Sequence, residues 1–422
     1  MQRYLVLIAA ALGWFCAGFL LAITSLVMRD AARDLLPAAN EAVIARWVGW
    51  LTSAFLLGAA TGGYGFGWLG DRLGRAKAMG CAILTYSLLS GLCAFAPTAE
   101  LLLLGWYLAC TGVGGMWPNA IALVSEVWSN LSRPLLAGVI GASANLGILL
   151  FAIVATVIDI TPDHWRWVFM VSAAPAVLGV FVLLAVPESP RWLALRSDAT
   201  ATRPAAVSPL TVFRPPVLRT TLIGIALGAV PLFGGWGSSN WANTWASKVG
   251  EQRQLPARYA DQVIPPDPGL KARVLISRSL PGSISSLLGA GLAVLLGRRL
   301  CYFLLSLCAL ASAQTLFWFL TPADPRFLWC NGALGLFSGF FFGWLPLCLP
   351  ELFPTRCRAA GAGVSFNFGR IITAVGVLLS AELLKQVFHG DYAQIGRVTS
   401  LVYALGMIVI LFAPTTATEL ED

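Results

Sequence analysis

The chain has 422 residues, 58% of them hydrophobic and 11% charged, with a mean hydropathy of +0.77. A soluble domain carries about a quarter charged residues, so a soluble globule is excluded and an integral membrane protein is indicated. The net charge of +8 does not indicate a nucleic-acid binder, because the basic residues sit in short loops between apolar runs and form no stripe.

Only helices or closed barrels can span lipid. The apolar runs are continuous, not alternating, so they read as helices. A span takes about 20 apolar residues, and twelve are predicted, at roughly 4–27, 47–69, 78–96, 101–127, 134–158, 165–186, 218–246, 272–296, 300–320, 327–350, 359–385 and 396–413. The first run is long enough to span and has no convincing cleavage site after it, so it counts as a helix and not a signal peptide. The expected class is an all-α membrane protein with twelve transmembrane helices in two six-helix pseudo-repeats. The expected division is an N-terminal half at 1–186, a Pro-rich cytoplasmic linker at 187–217 and a C-terminal half at 218–422. The nine cysteines fall in or beside the apolar runs, at no disulfide or metal-ligand spacing. No metal and no cofactor is expected.

With both termini inside, 14 of the 28 basic residues fall in inner loops and 12 in outer ones. That bias favours cytoplasmic termini, and the compact loops suit a bacterial inner membrane. The remaining two, Arg278 and Arg370, lie within spans eight and eleven.

The halves also repeat. Trp117, Pro118, Glu126, Arg133 and Asn145 run along spans four and five, and Trp344, Pro346, Glu351, Arg358 and Asn367 along spans ten and eleven. The offset is about 225 residues, half the chain. Parallel repeats of this kind suggest a transporter with its site between the halves. The spacings Gly58/Gly62 and Gly63/Gly67 in span two suit close helix packing.

Between spans two and three the chain reads Gly67-Trp-Leu-Gly-Asp71-Arg72-Leu-Gly74-Arg75-Ala-Lys77. Gly74 permits a tight turn, and Asp71 can meet a helix N-terminus or an arginine of the other half. This resembles the signature loop of the major facilitator superfamily, G-x-x-x-D-R-x-G-R-x-K. Pro187-Glu-Ser-Pro-Arg-Trp-Leu193 after span six resembles the sugar and organic-ion porters of that superfamily. Phe353-Pro-Thr-Arg356-x-Arg358 with Asn367-x-x-Arg370, and Gly112-x-Gly114-Gly115-x-Trp117-Pro118, resemble its sialate and aromatic-acid proton symporters. The resemblance covers nearly the whole chain. It implies a twelve-helix carrier working by alternating access, with inner gating salt bridges among Asp71, Arg72, Arg75, Glu126, Glu351 and Arg356 that hold the outward-open state.

Two departures stand out. The resembling symporters carry a pair of aspartates in span one, in a W-x-x-D-G-F-D pattern. Here the stretch reads Trp14-Phe-Cys-Ala17-Gly-Phe-Leu20, so both acids are gone and proton coupling stays open. The matching loop after span eight keeps only Gly297-Arg298-Arg299, so the inner gate is expected to be asymmetric.

Asn367 and Arg370 are three residues apart and share a helical face. A cation at that depth costs about 2.5–3.5 kcal/mol on insertion scales and is kept for a cavity or a partner. Neither Arg370 nor Arg278 has an evident acidic partner, and a guanidinium fork suits a carboxylate. Both are therefore candidate contacts to an anionic substrate. Helix carbonyls and asparagines are the alternative partners for Arg370, and Arg278 lies near enough to the outer surface to snorkel. In span seven Trp236, Asn240, Asn243 and Thr244 fall at the spacing of one helical face, as a site or as an interfacial belt. In the first half Trp117, Asn119 and Asn145 are the candidates, with helix packing as the alternative reading of Asn145.

The reading is a secondary transporter for a small organic anion (a sialate, a monocarboxylate or an aromatic acid), working as a monomer in the lipid bilayer. The alternative is a carrier or facilitator for a neutral sugar or polyol. Drug efflux and a substrate sensor are weaker readings. An enzyme is disfavoured, because both histidines, His164 and His389, fall in outer loops.

Overall fold

A computed structural model describes residues 2–128, 133–197, 212–251, 267–353 and 357–414. Among these residues all regular structure is helical, with no strand. Eleven helices are long and apolar enough to cross a membrane, and a twelfth apolar stretch, Ile140–Val154, is shorter. All twelve predicted runs are therefore helical.

In the first half α1 is Gln2–Leu26, α2 is Met28–Leu35, α3 is Glu41–Leu73, α4 is Arg75–Cys93, α5 is Ala99–Val127 and α6 is Arg133–Val154. Span six is split into α7 (Arg166–Val171) and α8 (Ala176–Ala185), and a short α9 follows at Pro190–Ser197. Span seven comprises α10 (Leu218–Phe233), a π-turn at Gly234–Ser239 and α11 (Asn240–Glu251). Then come α12 (Leu270–Leu296), α13 (Arg298–Phe319), α14 (Pro325–Glu351) and α15 (Arg358–Gln386), with span twelve in two pieces, α16 (Tyr392–Thr399) and α17 (Val402–Leu411).

Two differences from the expected boundaries matter. The stretch between spans one and two is not a loop but holds α2, and α3 begins at Glu41, six residues before the predicted 47. Asn40 caps α3, its side chain accepting from the Val43 N–H at 3.0 Å. The apolar pattern of the chain marks only what lipid or core surrounds, so the polar first turns of these helices were invisible to it.

Apolar packing divides the molecule in two. One core is built almost wholly from the first six spans and another almost wholly from the last six. The two sets meet along seams of α3 against α15 and α6 against α12, with α1 touching α11. Within the first set, α3 and α5 lie so close that a Cβ on Gly62 would stand 1.8 Å from the Thr111 carbonyl oxygen. Gly58 meets α5 in the same way, Gly63 instead faces Asn367 of the other set, and Gly67 faces open space. Gly74 takes φ +109° between α3 and α4, and Glu188 accepts from the Ala76 N–H at 3.1 Å at the start of α4. We call the end bearing residue 2 and residue 414 the near end, and the opposite end the far end.

Gly62→Ala should lower the melting temperature in detergent, by an overpacking cost of about 1–3 kcal/mol. Gly65→Ala on the same helix, where a Cβ meets nothing within 4 Å, should leave it unchanged. Equal behaviour of the two variants would contradict the packing described.

Candidate functional site

Arg370 lies near the middle of α15, half-buried at the seam with α3. Its Nη1 donates to the Ala59 carbonyl of α3 and to Asn367 Oδ1, both at 3.3 Å, and its Cζ stands 4.8 Å over the Phe366 ring. These are long bonds for a charged donor, which usually sits at about 2.7–2.9 Å from its acceptor. Among the described residues no carboxylate pairs with it, and its Nε and Nη2 make no hydrogen bond. Asn367 is oriented by donating to the Gly363 carbonyl at 3.1 Å. The predicted Asn367–Arg370 pair thus exists, and it faces the opposite set of helices.

Arg278 occupies the third turn of α12, also half-buried. The helix is held there by Gly335 of α14, where a Cβ would stand 2.2 Å from the Arg278 carbonyl oxygen. Its guanidinium reaches the π-turn of span seven, with Nη2 3.7 Å from where a Cβ on Gly235 would lie. Among the described residues it makes no hydrogen bond and no ion pair.

The π-turn follows from local sequence. Pro231 offers no N–H to the helix, and Gly234, Gly235 and Gly237 loosen the next turn. Trp236 lies within the turn and packs on Phe55 of α3, ring centroids 4.7 Å apart. Asn240 accepts from Ser25 Oγ of α1 at 2.7 Å. Thr244 bonds back to the Asn240 carbonyl at 3.2 Å. Asn243 is 1% exposed, and neither amide atom has a protein partner. Ser238 Oγ, Trp241 Nε1 and, on α1, Thr24 Oγ1 are buried in the same condition. Buried polar atoms without partners are uncommon and call for an explanation such as a ligand face.

In the first set, Trp117 packs on Trp14 with centroids 5.0 Å apart. Asn119 gives its amide protons to the Phe66 and Gly115 carbonyls at 3.0 and 2.9 Å, tying α5 to α3 within one set. Its donors are thereby occupied. Asn145 reaches across the other seam to Ser286 Oγ at 3.4 Å. Ala17 and Leu20 are buried, so apolar side chains fill the places of the two acids. Arg370, Asn367, Asn240, Trp236 and Asn145 thus each have a contact on the opposite set, along separate seams. Ser25, Thr24 and Phe55 belong with them and were missed. Two hydroxyls and a ring inside apolar runs carry no sequence signal of their own.

The expected gating residues lie at the near end. Asp71 pairs with Arg75 at 2.6 Å in its own set, not with an arginine of the other. Arg72 stacks over Trp68 at 4.1 Å. Glu126 accepts from Ser189, and Glu351 holds Arg298 through bonds of 3.1 and 3.2 Å. Arg356 lies outside the described residues. None of the described near-end ion pairs joins the two sets. The role of Arg298 as the partner of Glu351 was missed, since in sequence it reads only as an inside-loop charge.

Comparison with known proteins gives the same architecture. A family model described as Major Facilitator Superfamily matches residues 4–377. The niacin transporter NiaP of Acinetobacter baylyi is 26% identical, with 100% of this chain and 96% of that protein covered. The cis,cis-muconate transport protein of the same organism is 26% identical over 85% of this chain and 84% of its own. A crystal structure of a D-xylose-proton symporter superimposes with a TM-score of 0.76 at 18% identity, covering 100% of this chain and 99% of that one.

Replacing Asn119 by Ala should lower the melting temperature, because two backbone carbonyls lose their donors at about 1 kcal/mol each. Asn243→Leu should hold or raise it, since an unsatisfied amide gives way to an apolar side chain of similar size. The same variant should lose ligand-induced stabilisation. A destabilised Asn243→Leu protein would show that the amide is satisfied in the folded chain.

Proposed function

We propose that this chain, which belongs to the Major Facilitator Superfamily, carries small organic acids across a membrane by alternating access. The protein is a multi-pass membrane transporter of small molecules, and not an enzyme. The observation that carries the acid-carrier reading is the pair of membrane-embedded guanidiniums, Arg370 and Arg278, with no carboxylate partner among the described residues. Leaving such a cation unpaired is unfavourable, whereas a substrate carboxylate matches its planar fork of donors. Arg278 is the less engaged of the two and faces the π-turn of span seven at Gly235. Arg370 sits across the seam, where a bound anion can draw the two sets together.

The relatives named for niacin and cis,cis-muconate support this class, since both names denote unsaturated organic acids. Aromatic surfaces at Trp236, Phe55, Trp14 and Trp117 suit a flat, unsaturated body. A neutral sugar or polyol is the second reading, and the unpartnered Asn243 amide is what favours it. The likeness to a xylose symporter bears on fold alone. In this account the near end is cytoplasmic, the membrane is a bacterial inner membrane, and one chain supplies the whole site.

Proteoliposomes test the proposal directly. Uptake of labelled muconate or nicotinate should be inhibited by other carboxylates and not by the corresponding amides. Arg278→Gln and Arg370→Gln should each lower transport efficiency roughly 10- to 100-fold, the equivalent of losing a charge-assisted hydrogen bond of about 1.5–3 kcal/mol. Uptake of neutral sugars that survives both substitutions would overturn the acid-carrier reading.

A further inference from the structure

The far end holds a second concentration of charge, and there the ion pairs do cross between the two helix sets. Lys271, the second residue of α12, is 4% exposed. Its ammonium bonds the Asp30 carboxylate of α2, itself 2% exposed, and the Ile160 carbonyl at 2.8 Å. Beside them Arg29, 5% exposed, grips Glu41 of α3 through bonds of 3.1 and 3.0 Å and pairs with Glu251 of α11. The Ser247 hydroxyl accepts from the same Arg29 at 3.3 Å. Tyr392 of α16 donates to Glu41 at 2.8 Å, and Arg33 also reaches Glu251. All of these links but Arg29 to Glu41 join the first set to the last: Lys271 to Asp30 and Ile160, Arg29 to Glu251 and Ser247, Arg33 to Glu251, and Tyr392 to Glu41.

Burial makes the arrangement consequential. An exposed ion pair is worth little, but a buried one that loses a single partner leaves a charge that the low-dielectric interior cannot tolerate. The ion pairs of the cluster involve three cations, Arg29, Arg33 and Lys271, and three anions, Asp30, Glu41 and Glu251, and Lys271 and Glu251 have their described ionic partners only on the opposite set. Separating the helix sets at this end breaks all the crossing links at once and lets water reach each charge. The cluster therefore has two acceptable conditions, dry and paired or wet and apart, with little between them. At the near end no described ion pair crosses, and Asp71–Arg75 and Arg298–Glu351 stay within their own sets.

We propose that the Asp30–Lys271 and Arg29–Glu251 pairs are the far-end gate of this carrier, the positioning residues that set the balance between its two access states. The gate rests on the transporter reading but not on the identity of the substrate. In this role α2 is the lever. It follows α1 without a loop, since the Ala31 N–H bonds the Val27 carbonyl at 2.9 Å, so that movement of span one carries Asp30 and Arg29 with it.

Hydrogen exchange read by mass spectrometry on the full-length protein in detergent, without substrate, tests the gate. Breaking a buried pair in Asp30→Asn or Lys271→Met should raise exchange at 27–36 and 41–48 by about tenfold, as the far end opens. Exchange around Gly74–Lys77 and Glu188 should fall in the same samples as the near end closes. The charge-swapped Asp30→Lys/Lys271→Asp double variant should return both ends towards the wild-type pattern. If a single variant does not fold, the neutral double variant Asp30→Asn/Lys271→Met carries the same readout. Exchange that rises at both ends, that does not change, or that stays single-variant-like in the swap would mean that the cluster is a structural tie and not a gate. Because no substrate enters the measurement, this result is independent of whether acids are transported.

Discussion

A guanidinium inside a membrane-spanning helix has to find electron density to bond, and most of this protein's functional geometry follows from how that demand is met. Near the bilayer edges it is met within the chain. Arg29, Arg75 and Arg298 each hold a carboxylate. Deeper in, Arg370 has one carbonyl and one amide oxygen at 3.3 Å, and Arg278 has no hydrogen bond among the described residues. On the proposed reading, these deep, underbonded cations are the ones whose bonding an incoming anion completes.

The same sparseness of partners bears on the alternating access proposed for the two helix sets. Within each set the contacts are apolar, close and aided by small residues, as at Gly62 of α3 and Gly335 of α14. Between the sets the described polar contacts are few and specific: Arg370 to Ala59, Ser53 to Ala374, Ser25 to Asn240, Asn145 to Ser286, and the charge cluster around Arg29 and Asp30. Tight interiors joined by a sparse polar seam favour rigid-body motion of one set against the other. The π-turn in span seven adds a local break where a helix can flex beside the arginine of span eight.

Much of this was legible in the sequence, and the rest was not for physical reasons. Continuous apolar runs revealed the helices, and the Gly67–Lys77 loop revealed the family, because both depend on residue type and spacing alone. The Asn367–Arg370 pair was legible because three-residue spacing defines a helical face. The π-turn at 234–239 that interrupts span seven was not legible, since residue spacing assumes a regular helix. Asp30 and Lys271 were read as loop charges, because their pairing joins residues 241 positions apart that no local pattern connects. Asn119 looked like Asn145 in sequence, yet one is bonded to carbonyls inside its set and the other bridges a seam.

The central claim is that a substrate carboxylate supplies the partner that Arg278 and Arg370 lack. Calorimetric titration of the purified protein with an unsaturated acid, and in parallel with its uncharged amide, tests it most directly. The account predicts binding of the acid, weakened at least about tenfold, or 1.4 kcal/mol, by either Arg→Gln substitution, and no measurable binding of the amide. Equal affinity for acid and amide, unchanged in both variants, would contradict it and leave the two arginines as parts of the scaffold.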